Sequence, residues 1–100
     1  VDLPEVAAVG RAEFKVPGGK LLRAKAEARN HRIAFVQVTG DFFMTPETDL
    51  EDLEARLLGS SADPDAVRDA VNSFFRSRGT VITGASPDDF ARVITSALER

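Results

Sequence analysis

The stretch "FKVPGGKLL", residues 14–22, decides how this chain folds. Two glycines followed by Lys20 resemble a loop that cradles phosphate. A Walker A loop, however, requires G-x-x-x-x-G-K-[ST] between a strand and a helix, so that backbone N–H groups converge on phosphate and a hydroxyl holds magnesium. Leu21 stands where that hydroxyl is needed, and the residues beyond it alternate with the period of a strand. The spacing therefore predicts a hairpin turn: Pro17 presets φ at the first turn position, and Gly18 supplies the positive φ of a type II turn.

Working outward, Ala12, Phe14 and Val16 point one way and Glu13 and Lys15 the other, the pattern of a half-buried strand. Residues 1–11, punctuated by Pro4 and Gly10, read as an N-terminal extension or linker. The first residue is Val, so a processed or trimmed start is expected. After the turn, "KLLRAKAEA" places Leu22, Ala24, Ala26 and Ala28 on one face and Leu21, Arg23, Lys25 and Glu27 on the other. Its alanine face is thin enough for a helix backbone to lie close against it, although alanine is a weak strand former. Asn30, which tolerates a left-handed backbone, turns the chain into a third strand, "RIAFVQVTGDFF".

Past residue 44 the grammar becomes helical. "TPE" at Thr45, "DPD" at Asp63 and "SPD" at Ser86 each offer a capping side chain, a proline for the first helical position and an acid that favours the helix dipole. Leu50, Leu53, Leu57 and Leu58 mark the buried face of the first helix, ended by Gly59. Val67, Ala70, Val71, Phe74 and Phe75 do so in the second, closed by Gly79. The third turns Phe90, Val93, Ile94, Ala97 and Leu98 inward. "TVITG" before it reads as a loop or a short edge strand. The expected fold is α+β: residues 12–100 form one domain, a three-stranded antiparallel sheet with helices packed on one face.

One hundred residues suffice for one core, and 43% hydrophobic with 29% charged residues is ordinary globular composition. Seven Phe with no Trp or Tyr point to aromatic side chains used mainly as core. No Cys is present, which excludes disulfides, thiolate ligands and a thiol nucleophile. No apolar run approaches the ~20 residues needed to span a bilayer, and no leader pattern opens the chain, so a soluble, cytoplasmic protein without membrane contact is expected. Charge is unevenly distributed: residues 1–32 carry seven Lys/Arg against four Asp/Glu, and residues 33–100 six against twelve. Acidic first turns of helices account for part of this division; a basic hairpin facing an anion or an acidic partner is the functional alternative. An acidic chain with one basic segment is a poor nucleic-acid binder, so no nucleic acid is expected.

No catalytic set assembles. His31 has no second histidine to pair with, no Ser lies in a nucleophile-elbow context, and "ETDLEDLE" reads as a solvated helix face rather than a metal site, because hard-cation loops need oxygens on a turning backbone. Folding alone leaves "TGDFFMTPE" least explained. Gly40 breaks a strand where no reversal is needed, and Asp41 has no evident structural duty. Phe42 and Phe43 either bend over the core or form the lip of a binding surface. If Ala34, Val36 and Val38 face the helices, Ile33 and Phe35 lie on the outer sheet face, and with Arg23 and Lys25 they make up a candidate partner interface.

The order and spacing of "KVPGGKLL" and of "TGDFF" with "P" and "LE" downstream resemble the C-terminal accessory domain of lipoate-protein ligases, particularly its separate small-subunit form. The resemblance spans about residues 13–59, continuing over 60–100 as a helical pattern with "ITGASPDDF". It implies a fold like that of iron–sulfur cluster scaffolds, although without Cys a scaffold function is close to excluded. It also implies a non-catalytic helper. The large catalytic domain binds lipoate and Mg-ATP, forms lipoyl-AMP and acylates a carrier-protein lysine, whereas this chain binds no cofactor or metal alone and meets lipoyl carriers only indirectly. By the same resemblance Gly18, Gly19, Lys20, Asp41, Phe42 and Phe43 lie near the partner's nucleotide site. The alternative is an independent module that docks an acidic lipoyl carrier domain.

Overall fold

The computed structural model describes residues 9–18 and 20–99. Three strands, β1 (Gly10–Val16), β2 (Lys20–Arg29) and β3 (Arg32–Gly40), form an antiparallel meander in the order β1-β2-β3. β4 (Phe43–Thr45) pairs with β5 (Val81–Thr83) in a separate antiparallel ribbon. The described residues also form three helices: α1 (Thr48–Leu57), α2 (Pro64–Arg78) and α3 (Pro87–Leu98). Among the described residues, no helix is long and apolar enough to cross a membrane.

The hairpin at the centre of the reading is present: Val16 pairs with Lys20 and Gly18 adopts φ +109°. β1 starts at Gly10 and so takes in the last two residues of the stretch read as an extension; residues 1–8 lie outside the described residues. Asn30 and His31, at φ +53° and +66°, form the two-residue turn from β2 to β3. Two successive positive-φ residues match the right-handed twist of the strands they join.

α3 lies across β1 and β2, and α1 packs against β3, both on one face of the sheet. Beneath α3 are the buried Ala24 and Ala26, facing a helix whose own Ala91 and Ala97 are buried. Small residues on both sides allow this close approach. α2 packs on α1 and α3, sending Val67, Val71, Phe74 and Phe75 into the same core.

The three helix starts differ. Ser86 makes a full capping box, accepting the Asp89 N–H while Asp89 accepts the Ser86 N–H. Asp63 caps α2 with Pro64 in its first turn but forms no side-chain cap bond. α1 begins later than its proline suggests. Thr45 belongs to β4, the Thr45–Pro46 peptide is cis, and the Pro46 and Glu47 carbonyls accept the Asp49 and Leu50 N–H groups in the first turn of the helix. At the other end Leu58 is exposed rather than inward, because the chain turns extended there (ψ 130°) and leaves the helical register.

A β-bulge overturns one expectation. The β2–β3 register shifts between Glu27 and Ala28: Glu27 pairs with Phe35 and Ala28 with Ile33, so Ala34 is an extra residue. Ile33 therefore points into the core, 1% exposed, and Ala34 is exposed. Ile33 is not part of an outward interface; Phe35, 39% exposed, stays on the outer face. The free edge of β3 is shielded twice. Residues 59–62 run along its start: the Gly59 N–H donates to the Ile33 carbonyl, the Ile33 N–H to the Ser60 carbonyl and the Ala62 N–H to the His31 carbonyl. Further on, the Glu54 carboxylate accepts the Val38 N–H at 2.8 Å.

Candidate functional site

The end of β3 owes its shape to Gly40. A Cβ there would lie 2.4 Å from the Leu21 carbonyl oxygen and 3.1 Å from Leu22 Cα. Without one, the backbones close and the Leu21 carbonyl accepts the Asp41 N–H at 3.0 Å. The chain then leaves the sheet, and Phe42 turns inward to meet Phe90 edge-to-face at 4.9 Å. Phe43 starts β4 on its solvent side and is 73% exposed.

Lys20, at the start of β2, joins Gly40, Asp41, Phe42 and Phe43 around a surface cleft of about 430 Å³. Gly84, just past β5, forms part of the same junction: a Cβ there would lie 3.3 Å from the Asp41 carbonyl oxygen and from Lys20 Cγ. Its φ of +100° also favours glycine. A neighbouring groove of about 600 Å³ shares Gly40, Phe42 and Phe43 and runs on to Val38, Met44 and Leu50.

A buried polar knot holds β5 in place. Asp49, only 3% exposed, accepts hydrogen bonds from Arg78 Nη1 at 3.1 Å and from the Thr80 hydroxyl, and Arg78 also reaches Asp52 at 2.9 Å. Thr80 directly precedes β5, so α1 and α2 fix the strand that leads to Gly84. Part of "ETDLEDLE" is thus structural rather than solvated. Glu54 on the same helix has its pKa raised, mainly by burial and further by Glu51, against the opposing effect of the Val38 N–H.

Of the six positions singled out as nucleotide-proximal, Lys20, Asp41, Phe42 and Phe43 converge on the cleft. Gly18 sits at the hairpin tip with open space where a Cβ would be, and Gly19 lies outside the described residues. Arg23, Lys25 and Phe35 occupy the outer sheet face. Gly84 and Asp49 escaped the sequence reading. A signal for Gly84 existed: "ITG" at 82–84 echoes "VTG" at 38–40, and both glycines abut the Leu21–Phe42 junction. Asp49 carries no such mark within an acidic helix.

Chemically the cleft offers one ammonium, one carboxylate and two aromatic rings. Neither Lys20 nor Asp41 has an ion-pair partner among the described residues. An unpaired lysine at a strand end is a point charge suited to phosphate. Asp41 is the one carboxylate in the described lining, which holds no hydroxyl, thiol or imidazole.

The family model described as "Bacterial lipoate protein ligase C-terminus" matches residues 11–94. Lipoate-protein ligase A subunit 2 of Thermoplasma acidophilum is 32% identical over 74 residues, 74% of this chain and 76% of that protein. A solved structure from the same organism's lipoylation system, described as a bi-partite lipoate protein ligase and its E2 lipoyl domain, superposes with a TM-score of 0.76 at 29% identity, covering 86% of this chain and 93% of the other. The cleft is therefore carried by a member of the lipoate-protein ligase C-terminal family, to which this chain belongs.

Proposed function

We propose that this chain is the accessory subunit or domain of a lipoate-protein ligase, and that it assists ATP-dependent activation of lipoate to lipoyl-AMP on a separate catalytic domain. The observation that carries the reading is the convergence of Lys20, Asp41 and Phe43 on one exposed cleft whose described lining holds no hydroxyl, thiol or imidazole. Such a cleft completes a site when another surface covers it. Lys20 then brings positive charge to the ATP phosphates, where developing negative charge is stabilised once water is excluded. Phe43 supplies apolar area for that contact, and Gly40 and Gly84 shape the cleft by letting the chain close on Leu21 and Asp41. In this assignment lipoate and Mg-ATP are held by the catalytic domain, and the carrier lysine is acylated there.

Lys20→Ala, assayed with the catalytic subunit, is the direct test. Lipoyl-AMP formation should fall roughly tenfold or more, in keeping with loss of one charged group from a phosphate site, while transfer from preformed lipoyl-AMP to the carrier changes little. Equal slowing of both steps would contradict the assignment.

A further inference from the structure

The face of the sheet opposite the helices is exposed at Arg11, Glu13, Lys15, Arg23 and Lys25 and buried at Glu27, and the charge of its exposed part is one-sided. Arg11 and Lys15 of β1 and Arg23 and Lys25 of β2 all point outward from it, against one accessible carboxylate, Glu13, which Arg23 engages at 3.0 Å. Glu27 is buried and paired with Arg29 at 2.6 Å, so it does not offset the others. Register sharpens the point, since Arg11 is directly opposite Lys25, with Gln37 next in the same row. Like charges facing each other across strands destabilise a sheet, where Glu opposite Arg would stabilise it. Neither Arg11 nor Lys25 has a carboxylate partner among the described residues. Folding alone gives no reason for this pair.

We infer that this exposed face is a docking surface for a compact acidic protein domain, distinct from the surface that covers the Lys20 cleft. Beside the cations, on β3, lie groups that hydrogen-bond in both senses, Gln37 and Thr39, and a furrow of about 240 Å³ runs between Arg23, Lys25, Gln37 and Thr39. The exposed Phe35 supplies an aromatic contact beyond the basic rows. This mixture suits a folded acidic surface better than a phosphate chain. The remainder of the molecule is acidic, six Lys/Arg against twelve Asp/Glu over residues 33–100, so an extended polyanion running past the sheet meets repulsion while a compact domain does not.

The test uses this chain assembled with its catalytic subunit, and an acidic E2 lipoyl domain as the probe, titrated at low and at physiological salt. Binding should weaken with salt. Lys25→Glu should weaken it roughly tenfold, by placing like charge against like, while leaving the melting temperature equal to or above the parent's because Arg11 gains a partner. That opposition between stability and affinity separates a functional charge from a structural one. A single-stranded oligonucleotide and phosphatidylserine vesicles serve as comparators. Tighter binding to either of them, undiminished affinity in Lys25→Glu, or no binding of the lipoyl domain would each overturn the proposal. Lipoyl-AMP formation is measured in the same samples: docking lost with adenylation intact is the expected result, and parallel loss of both would assign the effect to the cleft and overturn this inference.

Discussion

At Gly40 a single methyl group decides whether β3 can close on β2. A Cβ 2.4 Å from a carbonyl oxygen meets backbone rather than a side chain that could swing away. Gly40→Ala should therefore cost about 2 kcal/mol or more of unfolding free energy, read as a lower denaturant midpoint with unchanged slope. A midpoint matching the parent's would show that the backbone shifts freely here. The sequence marks Gly40 as anomalous, a glycine in a strand with no reversal to make, but the reason lies in a contact nearly twenty residues away that no local pattern contains. Asp41 is similar: its backbone serves the fold through the Leu21 carbonyl while its side chain is left to the cleft. Ile33 shows the opposite failure. Alternation assigned it outward, and one extra residue in the bulge reversed its face, as any slip of register must.

Among the elements, the principal strands and helices were legible because each has an apolar period of its own and most have a start or stop residue. The β4–β5 ribbon is legible only in part: "TVITG" admits a short edge strand, which is β5, while nothing marks β4. Each strand has three residues, too few to show a period, and what fixes them is the pairing of Met44 with Ile82 and the buried Asp49–Arg78–Thr80 knot. The link from α1 to the β3 edge was equally silent, since Glu54 looks like any exposed helix acid until Val38 is set beside it. Its raised pKa has a definite consequence for stability. The folded chain holds the Glu54 proton above the ordinary value of 4.5, at which the unfolded chain releases it. Between the two pKa values the native state binds more protons, so this group's contribution to stability falls as pH rises through that window. Glu54→Gln keeps a carbonyl to accept the Val38 N–H and removes the half-buried charge. Relative to the parent, the variant should gain stability as pH rises above about 4.5, levelling off past the raised value, in denaturation curves taken from pH 4 to 7. A relative loss that grows toward pH 7 would mean that the charged hydrogen bond outweighs burial.

For the whole molecule, the helices take the acidic half of the sequence and the sheet the basic half, so the division of charge along the chain becomes a division between two faces. One face is covered by its own helices. The other carries the exposed basic rows, and the Lys20 cleft lies where β2 starts and β3 ends. This was readable from the sequence only in outline: the lopsided charge and the two short motifs are visible, whereas the meeting of Lys20, Asp41, Phe43 and Gly84 needs the fold. The central claim is that this chain contributes to adenylation without performing it. The most direct measurement is lipoyl-AMP formation from lipoate and Mg-ATP by this chain alone, by the catalytic subunit alone, and by the two mixed. The account predicts little or no adenylate from either component singly and substantial adenylate from the mixture. Adenylate made by this chain unaided, or a catalytic subunit as active alone as in the mixture, would contradict it.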